Sequence, residues 1–342
     1  MNRPLTMAVV AQKIGVHPST VSRALRNDPS ISPLQRERIQ EKARDLGYRP
    51  DPIVSAYTAR VRSYRSTKGH GTIALAVVGQ RNPKHPSDAF SEGITAEANA
   101  HGFQVERFHL ADLDHDPAKL QRVLRTRCIQ SLIVMPLGWD QSLDGLDFSN
   151  LACAQVGPSL KSPVLPMAST DFFANAKLAC AELFETGHTN VGLATNARLE
   201  GRLDQGWLGG YLAFRQFHGL PFIPPLFWEK DDSEALQHWI DEYALTAILL
   251  PGQSFIRPDR MRKCSGHLRK PIRTFSLAGN IRTSGPGINE RNDLVGAAAV
   301  RLVIGQLHSG RMGPRESSEK VLIPGIWRDG QRACRSSAKV AR

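Results

Sequence analysis

The residues whose types invite chemistry stand together at 18–25, in "PSTVSRAL". Pro18 opens a helix at the one position where a missing N–H costs nothing. Ser19, Thr20 and Ser22 bring hydroxyls, and Arg23 brings a guanidinium whose donors sit in a fixed planar fork. That set offers hydrogen bonding to polar edges rather than bond cleavage. Only Val21 and Leu25, four apart, make an inward stripe. Pro18, Ser19, Ser22 and Arg23 therefore form either an ordinary solvated face or a surface built for a polar partner.

Elsewhere no bond-making constellation emerges. The chain has no G-x-x-x-x-G-K-[ST] phosphate loop and no H-E-x-x-H zinc pair. "GPGINE" at 285–290 holds the first two glycines of a dinucleotide fingerprint without the third, and reads as a turn. Eleven histidines are scattered without metal-ligand spacing. The five cysteines, at 128, 153, 180, 264 and 334, are far apart and never paired as C-x-x-C. They read as reduced thiols of a cytoplasmic protein, with no zinc site and no cofactor implied. An enzyme would rest on fold class alone, which proves no chemistry.

Composition bounds the remainder. A chain of 342 residues, 41% hydrophobic and 22% charged, suggests a globular protein of two or three domains. No apolar run approaches the roughly 18 residues of a membrane span, and "MNRPLTMAVVAQKIG" lacks the pattern of a signal peptide. The net charge is +12, yet residues 1–70 alone hold 13 Lys and Arg against 5 Asp and Glu. A positive field concentrated in the first fifth of the chain favours a polyanion.

These residues need elements to hold them. Residues 6–48 read as three short helices. Thr6 caps the first, which carries Val10 and Ile14 and ends at Gly15; "PSTVSRAL" is the second. The third starts at Ser32, with Gln35 completing a capping box, runs through Leu34, Ile39, Ala43 and Leu46, and stops at Gly47. A helix, a short glycine turn and a second short helix make the helix-turn-helix plan. Residues 49–71 read as a linker in which Asp51 and Pro52 start a short helix near 52–60. From residue 72 strands alternate with helices: strands at 72–78, "FQVERFHL", 131–137, 190–195, 245–251 and 272–278, helices at 88–101 and 116–127. Such alternation implies parallel sheets covered on both faces, with ligands beyond the carboxyl ends of the strands. Residues 331–342 read as a disordered basic tail.

The block from Met7 to Pro50 closely resembles the headpiece of the lactose-repressor/galactose-repressor family of bacterial transcription regulators. The matching pieces are V-A-x-x-x-G-V at 10–16, S-T-V-S-R-A-L at 19–25, and a Ser-x-x-x-Arg run leading to L-G-Y-x-P at 46–50. The resemblance implies a helix-turn-helix headpiece at 1–50 and a hinge and linker at 51–71. It also implies a periplasmic-binding-protein-like α/β region at 72–330 for effector binding and dimerisation. Its subdomains fall at about 72–158 with 285–315, and 159–284 with 316–330, the chain crossing near 158–162, 279–287 and 314–321.

In that family the second helix lies in the DNA major groove. Pro18 and Ser19 then take base-reading positions with Arg23 beside them, while Thr6, His17, Thr20, Ser22, Arg26 and Asn27 serve phosphates or local capping. Tyr57 stands where the family carries a leucine that wedges into the minor groove. The implied function is a cytoplasmic repressor that binds a palindromic operator as a homodimer, tuned by a small-molecule effector, a carbohydrate among the candidates. The effector set carried over is Gln80, Asp88, Phe90, Trp139, Arg202, Trp207 and Asn280. Two departures argue against a hexose or pentose: "PGQ" at 251–253 replaces an Asn-Asp pair, and "FSLAGNIR" lacks an expected Asp. A lost or altered effector, a solute-binding protein, a charge-only architectural protein and an activator remain as alternatives.

Overall fold

The computed structural model describes residues 7–25, 28, 30–48, 71–77, 87–139, 141–228, 233–252, 255–256, 272–279, 285–317 and 319–329. The chain divides into two units, Met1–Ser66 and Thr67–Arg342. The expected hinge helix near 52–60 and the basic tail lie outside the described residues.

In the first unit, helices α1 (Met7–Ile14), α2 (Pro18–Leu25) and α3 (Pro33–Asp45) enclose a small core. Gly15, at a φ of 77°, adopts the left-handed turn between α1 and α2, and its N–H donates to the Ala11 carbonyl at 2.9 Å. The inward stripe of α2 is Val21 and Ala24, with Leu25 only partly buried. A small residue lets the neighbouring helix approach, and Gln40 of α3 donates across that contact to the Ala24 carbonyl at 2.8 Å. The capping box is absent: Ser32 makes no side-chain cap bond. Pro33 at the first helical position has no N–H to satisfy, and the Arg36 N–H makes the first helical bond to the Ser32 carbonyl at 2.9 Å. Leu34, expected on the apolar stripe, is 80% exposed, because Ile39 and Ala43 set the buried face.

The second unit holds two six-stranded sheets. The first runs β2 (Gln104–His109), β1 (Thr72–Val77), β3 (Ser131–Val134), β4 (Ala152–Val156), β5 (Met167–Thr170) and β11 (Lys320–Ile323), all parallel. Alternate residues of β1 face opposite layers, Ile73 and Leu75 one way, Ala74 and Ala76 the other. Helices α4 (Ser87–Ala100) and α10 (Asn292–Ser309) cover one face, and α5 (Pro117–Thr126) covers the other.

The second sheet runs β7 (Leu226–Phe227), β6 (Val191–Thr195), β8 (Ala247–Leu250), β9 (Arg273–Ser276), β10 (Gly287–Asn289) and β12 (Ile326–Arg328). Only β12 is antiparallel. Helices α6 (Phe172–Glu185) and α8 (Gly206–Phe217) pack on one face, and α9 (Ser233–Glu242) on the other.

The sheets set the crossings later than expected. The chain leaves the first sheet after Thr170, returns after Asn289 and crosses again between Ile323 and Ile326. The reason is local. "MAST" is a strand too short and too polar to announce itself, and "GPGINE" is more than a turn: its Gly287–Asn289 form β10, bonded on both sides.

Buried Gln306 of α10 brackets β4, donating to the Cys153 carbonyl at 2.8 Å and accepting from the Cys153 N–H at 3.1 Å. Burial pushes the Cys153 and Cys180 thiols up to about 12, so both stay protonated. Helices α4 and α10 touch backbone to backbone. A Cβ on Gly296 would lie 2.2 Å from the Phe90 carbonyl oxygen, and one on Gly93 1.8 Å from that of Asp293. Alanine would recover about 1 kcal/mol of helix propensity, but separating two rigid helices costs more. Gly296→Ala is therefore expected to lose roughly 1–3 kcal/mol, seen as a lower denaturant midpoint; an unchanged midpoint would refute the contact.

Candidate functional site

Two surfaces carry the candidate residues. On the first, α2 exposes Pro18 and Ser19 to solvent, with Thr20, Ser22 and Arg23 half-buried along the same helix. His17 ends the turn before it: its Nδ1 lies 2.8 Å from the Ser19 hydroxyl and accepts from the Ser19 N–H at 3.3 Å. Its carbonyl accepts from the Thr20 N–H at 2.9 Å. His17 thus caps the helix, one of the two roles left open for it. Thr6, Arg26, Asn27 and Tyr57 lie outside the described residues.

The second surface is the cleft between the two sheets, and it is built from strand ends. Strand β6 ends at Thr195, and Asn196 caps helix α7 (Ala197–Arg202), its Oδ1 accepting from the Leu199 N–H at 3.2 Å. Buried Glu200 locks that helix in place. It accepts from the Thr195 hydroxyl at 2.9 Å and the Leu208 N–H at 3.2 Å, while burial holds its carboxyl above the usual range. Arg198 and Arg202, four apart, then share one face.

Across the cleft, the segment after β3 runs through Pro136, Leu137, Gly138 and Trp139. The Ser159 hydroxyl receives the Leu137 N–H at 2.9 Å. Arg202 closes the gap: Nη1 donates to the Leu137 carbonyl at 3.0 Å and Nη2 to the Gly138 carbonyl at 3.3 Å. Its guanidinium sits 3.8 Å from the centre of the Trp139 ring, with that of Arg198 at 4.5 Å. Burial, followed by repulsion from Arg198, holds the Arg202 guanidinium below the ordinary arginine range.

Behind this clasp lies a cavity of about 160 Å³. Phe90, Phe172, Leu203 and Val295 form its apolar wall, and Ser169, Thr170, Arg202 and Glu290 are polar members. The Ser169 hydroxyl is buried without a partner. Burial pushes the Glu290 carboxyl up to about 8, against the weaker opposing hydrogen bonds from the Thr170 hydroxyl and the Gly279 backbone.

The expected effector residues divide accordingly. Phe90 and Arg202 line the cavity, and Trp139 caps the arginine beside it. Trp207 is core: it is 3% exposed and meets Phe172 edge-on at 5.6 Å. Gln80 and Asn280 lie outside the described residues, as does the side chain of Asp88. Sequence reasoning missed Ser169, Thr170, Arg198 and Glu290. Position alone could have found three of them, because ligands of such sheets gather beyond strand carboxyl ends. Among the described residues no three His, Cys, Asp or Glu side chains group to hold a metal, and no helix is long and apolar enough to cross a membrane.

Known proteins agree with this architecture. Residues 6–51 match the family model "Bacterial regulatory proteins, lacI family". The HTH-type transcriptional regulator GalS of Salmonella typhimurium is 26% identical over 217 residues, 60% of this chain and 58% of GalS. The HTH-type transcriptional repressor CytR of Escherichia coli is 28% identical over 251 residues, 69% of this chain and 68% of CytR. The chain thus spans less than two thirds of GalS and just over two thirds of CytR.

Among solved structures, a transcriptional regulator CelR–cellobiose complex superposes with a TM-score of 0.55 at 18% identity, covering 96% of this chain and 99% of that one. The Lac repressor dimer bound to operator and the anti-inducer ONPF gives 0.52 at 15%, covering 96% and 98%. At those identities the likeness concerns the fold alone. By its amino-terminal segment the chain is similar to the lacI family of bacterial regulatory proteins, and by its paired parallel sheets it shares the fold of these solved regulators.

Proposed function

We propose that this chain is a cytoplasmic, sequence-specific DNA-binding regulator rather than an enzyme, a repressor that binds a palindromic operator as a homodimer. One observation carries the reading: the segment matching the family model contains a short helix whose outward face is left polar. A polar outward face on a short helix that follows a glycine turn is what a helix meeting base edges requires. Pro18, Ser19 and Arg23 are assigned to bases. Thr6, His17, Thr20, Ser22, Arg26 and Asn27 are assigned to phosphates or to capping, and Tyr57 to the minor groove. The names of GalS, CytR and the operator-bound Lac repressor support the same assignment.

We assign effector binding to the cavity behind Arg202. A ligand can shift operator affinity only by binding one arrangement of the subdomains better than another. The Arg202 clasp is the contact such a ligand would strengthen or break. CelR is described with cellobiose, which keeps a carbohydrate among the candidates for this cavity.

Three outcomes follow. Arg23→Ala should weaken binding to an operator selected from a random duplex pool by about tenfold or more, as expected for one lost base contact, and leave random duplex nearly unaffected. Equal losses on both would reduce the headpiece to a charge-only binder. Arg202→Ala should open the cleft, read as a larger radius of gyration in X-ray scattering; no change would mean that the clasp holds nothing.

Glu290 gives a pH test. Its ordinary value is 4.5 and its folded value about 8, so between them the folded chain keeps a proton the unfolded chain has released. Stability therefore falls as pH rises through that window. Glu290→Gln removes this loss and should gain more stability over the parent at pH 8 than at pH 5; equal gains would contradict the assignment.

A further inference from the structure

We propose that the cavity behind Arg202 takes a compact, hydrocarbon-like ligand the size of a single aromatic ring, rather than a hydroxylated sugar. This rests on the effector reading above and specifies its chemistry.

The walls are carbon, and they come from both subdomains. Phe90 and Val295 belong to the core of the first sheet, Phe172 and Leu203 to that of the second. Pro136 follows β3 and Pro158 follows β4, and a proline has no N–H to offer a ligand. The polar residues around the cavity turn their bonding groups elsewhere. Ser159 receives the Leu137 N–H, and Arg202 gives one N–H from each terminal nitrogen to the Leu137 and Gly138 carbonyls. Ser169 and Thr170 are neighbours on β5, so their side chains leave the strand on opposite faces. The Ser169 hydroxyl is sealed in, and Thr170 and Glu290 are only 4% and 9% exposed.

A sugar brings several hydroxyls, each of which must find a partner or lose its water uncompensated. These walls offer few such partners. Water meets the same shortage, since a buried molecule of it needs about two to four. An apolar body loses no hydrogen bonds on entry and gains with the area it takes out of water. The space sets its size. A dry cavity of about 150 Å³ lined by leucine, isoleucine and phenylalanine holds one benzene ring, and this cavity is about 160 Å³. A ring seated there meets side chains from the cores of both sheets at once. It therefore favours the arrangement in which Phe90 and Leu203 line one cavity over any that parts them.

The test is calorimetric titration of the full chain with toluene, benzyl alcohol, ribose and cellobiose. Toluene should bind at least about tenfold tighter than benzyl alcohol, whose hydroxyl finds no free partner, and the sugars should bind more weakly still. Leu203→Phe fills the space and should abolish toluene binding. Phe90→Leu enlarges it and should shift the preference from toluene to propylbenzene, with a cooperative thermal transition showing that each variant is folded. Benzyl alcohol or a sugar binding as tightly as toluene, no binding of toluene, or toluene binding unchanged in a folded variant would each overturn the proposal. Operator titration of the same preparation without ligand separates the two readings. Discrimination retained without toluene binding removes this inference alone, and lost discrimination removes the regulator.

Discussion

A guanidinium bonded to two main-chain carbonyls of the opposite subdomain is the contact on which the arrangement of the large unit depends. Arg202 is suited to it by geometry: a planar fork reaches the carbonyls of Leu137 and Gly138 together, and its flat face meets the Trp139 ring. Lysine has the charge but neither the fork nor the face. Partial burial of a cation is costly, and here carbonyl dipoles and an aromatic quadrupole offset it where a carboxylate would ordinarily stand. Such a contact is strong enough to define an arrangement and weak enough to be exchanged for another.

The clasp works only because Arg202 is held still. Buried Glu200, bonded to Thr195 on the strand before it and to the Leu208 N–H on the helix after it, fixes the short helix from both sides. On the opposite wall Ser159 and Gln141 fix the N–H groups of Leu137 and Gly138. Both partners are thereby preorganised, which lowers the entropy lost when they meet. The glycine contact between α4 and α10 serves the same end at longer range. Phe90 lines the cavity and lends its carbonyl to that contact, so the wall inherits the rigidity of the helix pair.

The headpiece was legible because its signals are local. A proline at a helix start, a glycine at a turn and apolar residues three or four apart all act within a few residues of chain. What failed there also has a local cause. Ser32 and Gln35 have the spacing of a capping box, but spacing does not fix a side chain's rotamer, and the Ser32 hydroxyl makes no cap bond. The α/β region was legible as alternation, since runs such as "TIALAV" and "AILL" are buried on both faces. Its crossings were not, because "MAST" gains strand character only by pairing with residues distant in sequence, β4 and β11. Trp207 was misjudged for a related reason: a tryptophan on a helix looks the same in sequence whether it faces a cleft or a core. Glu290 was hidden because its significance is tertiary; a carboxylate after a glycine-rich stretch looks like surface until the strand that precedes it is paired.

Glu290 and Arg202 line one cavity, carry opposite charge when ionised, and are not paired with each other. If they formed an ion pair, each would satisfy the other and the empty cleft would be its own best state. Kept apart, the arginine turns to carbonyls across the cleft, and the carboxyl stays neutral beside Thr170. Neither state is as favourable as a direct contact with a complementary charge would be. That shortfall is free energy available to a ligand, and one that meets Phe90 and Leu203 touches both sides of the cleft at once. Coupling between sites requires a difference of this kind, and a fully satisfied cleft would have none to offer.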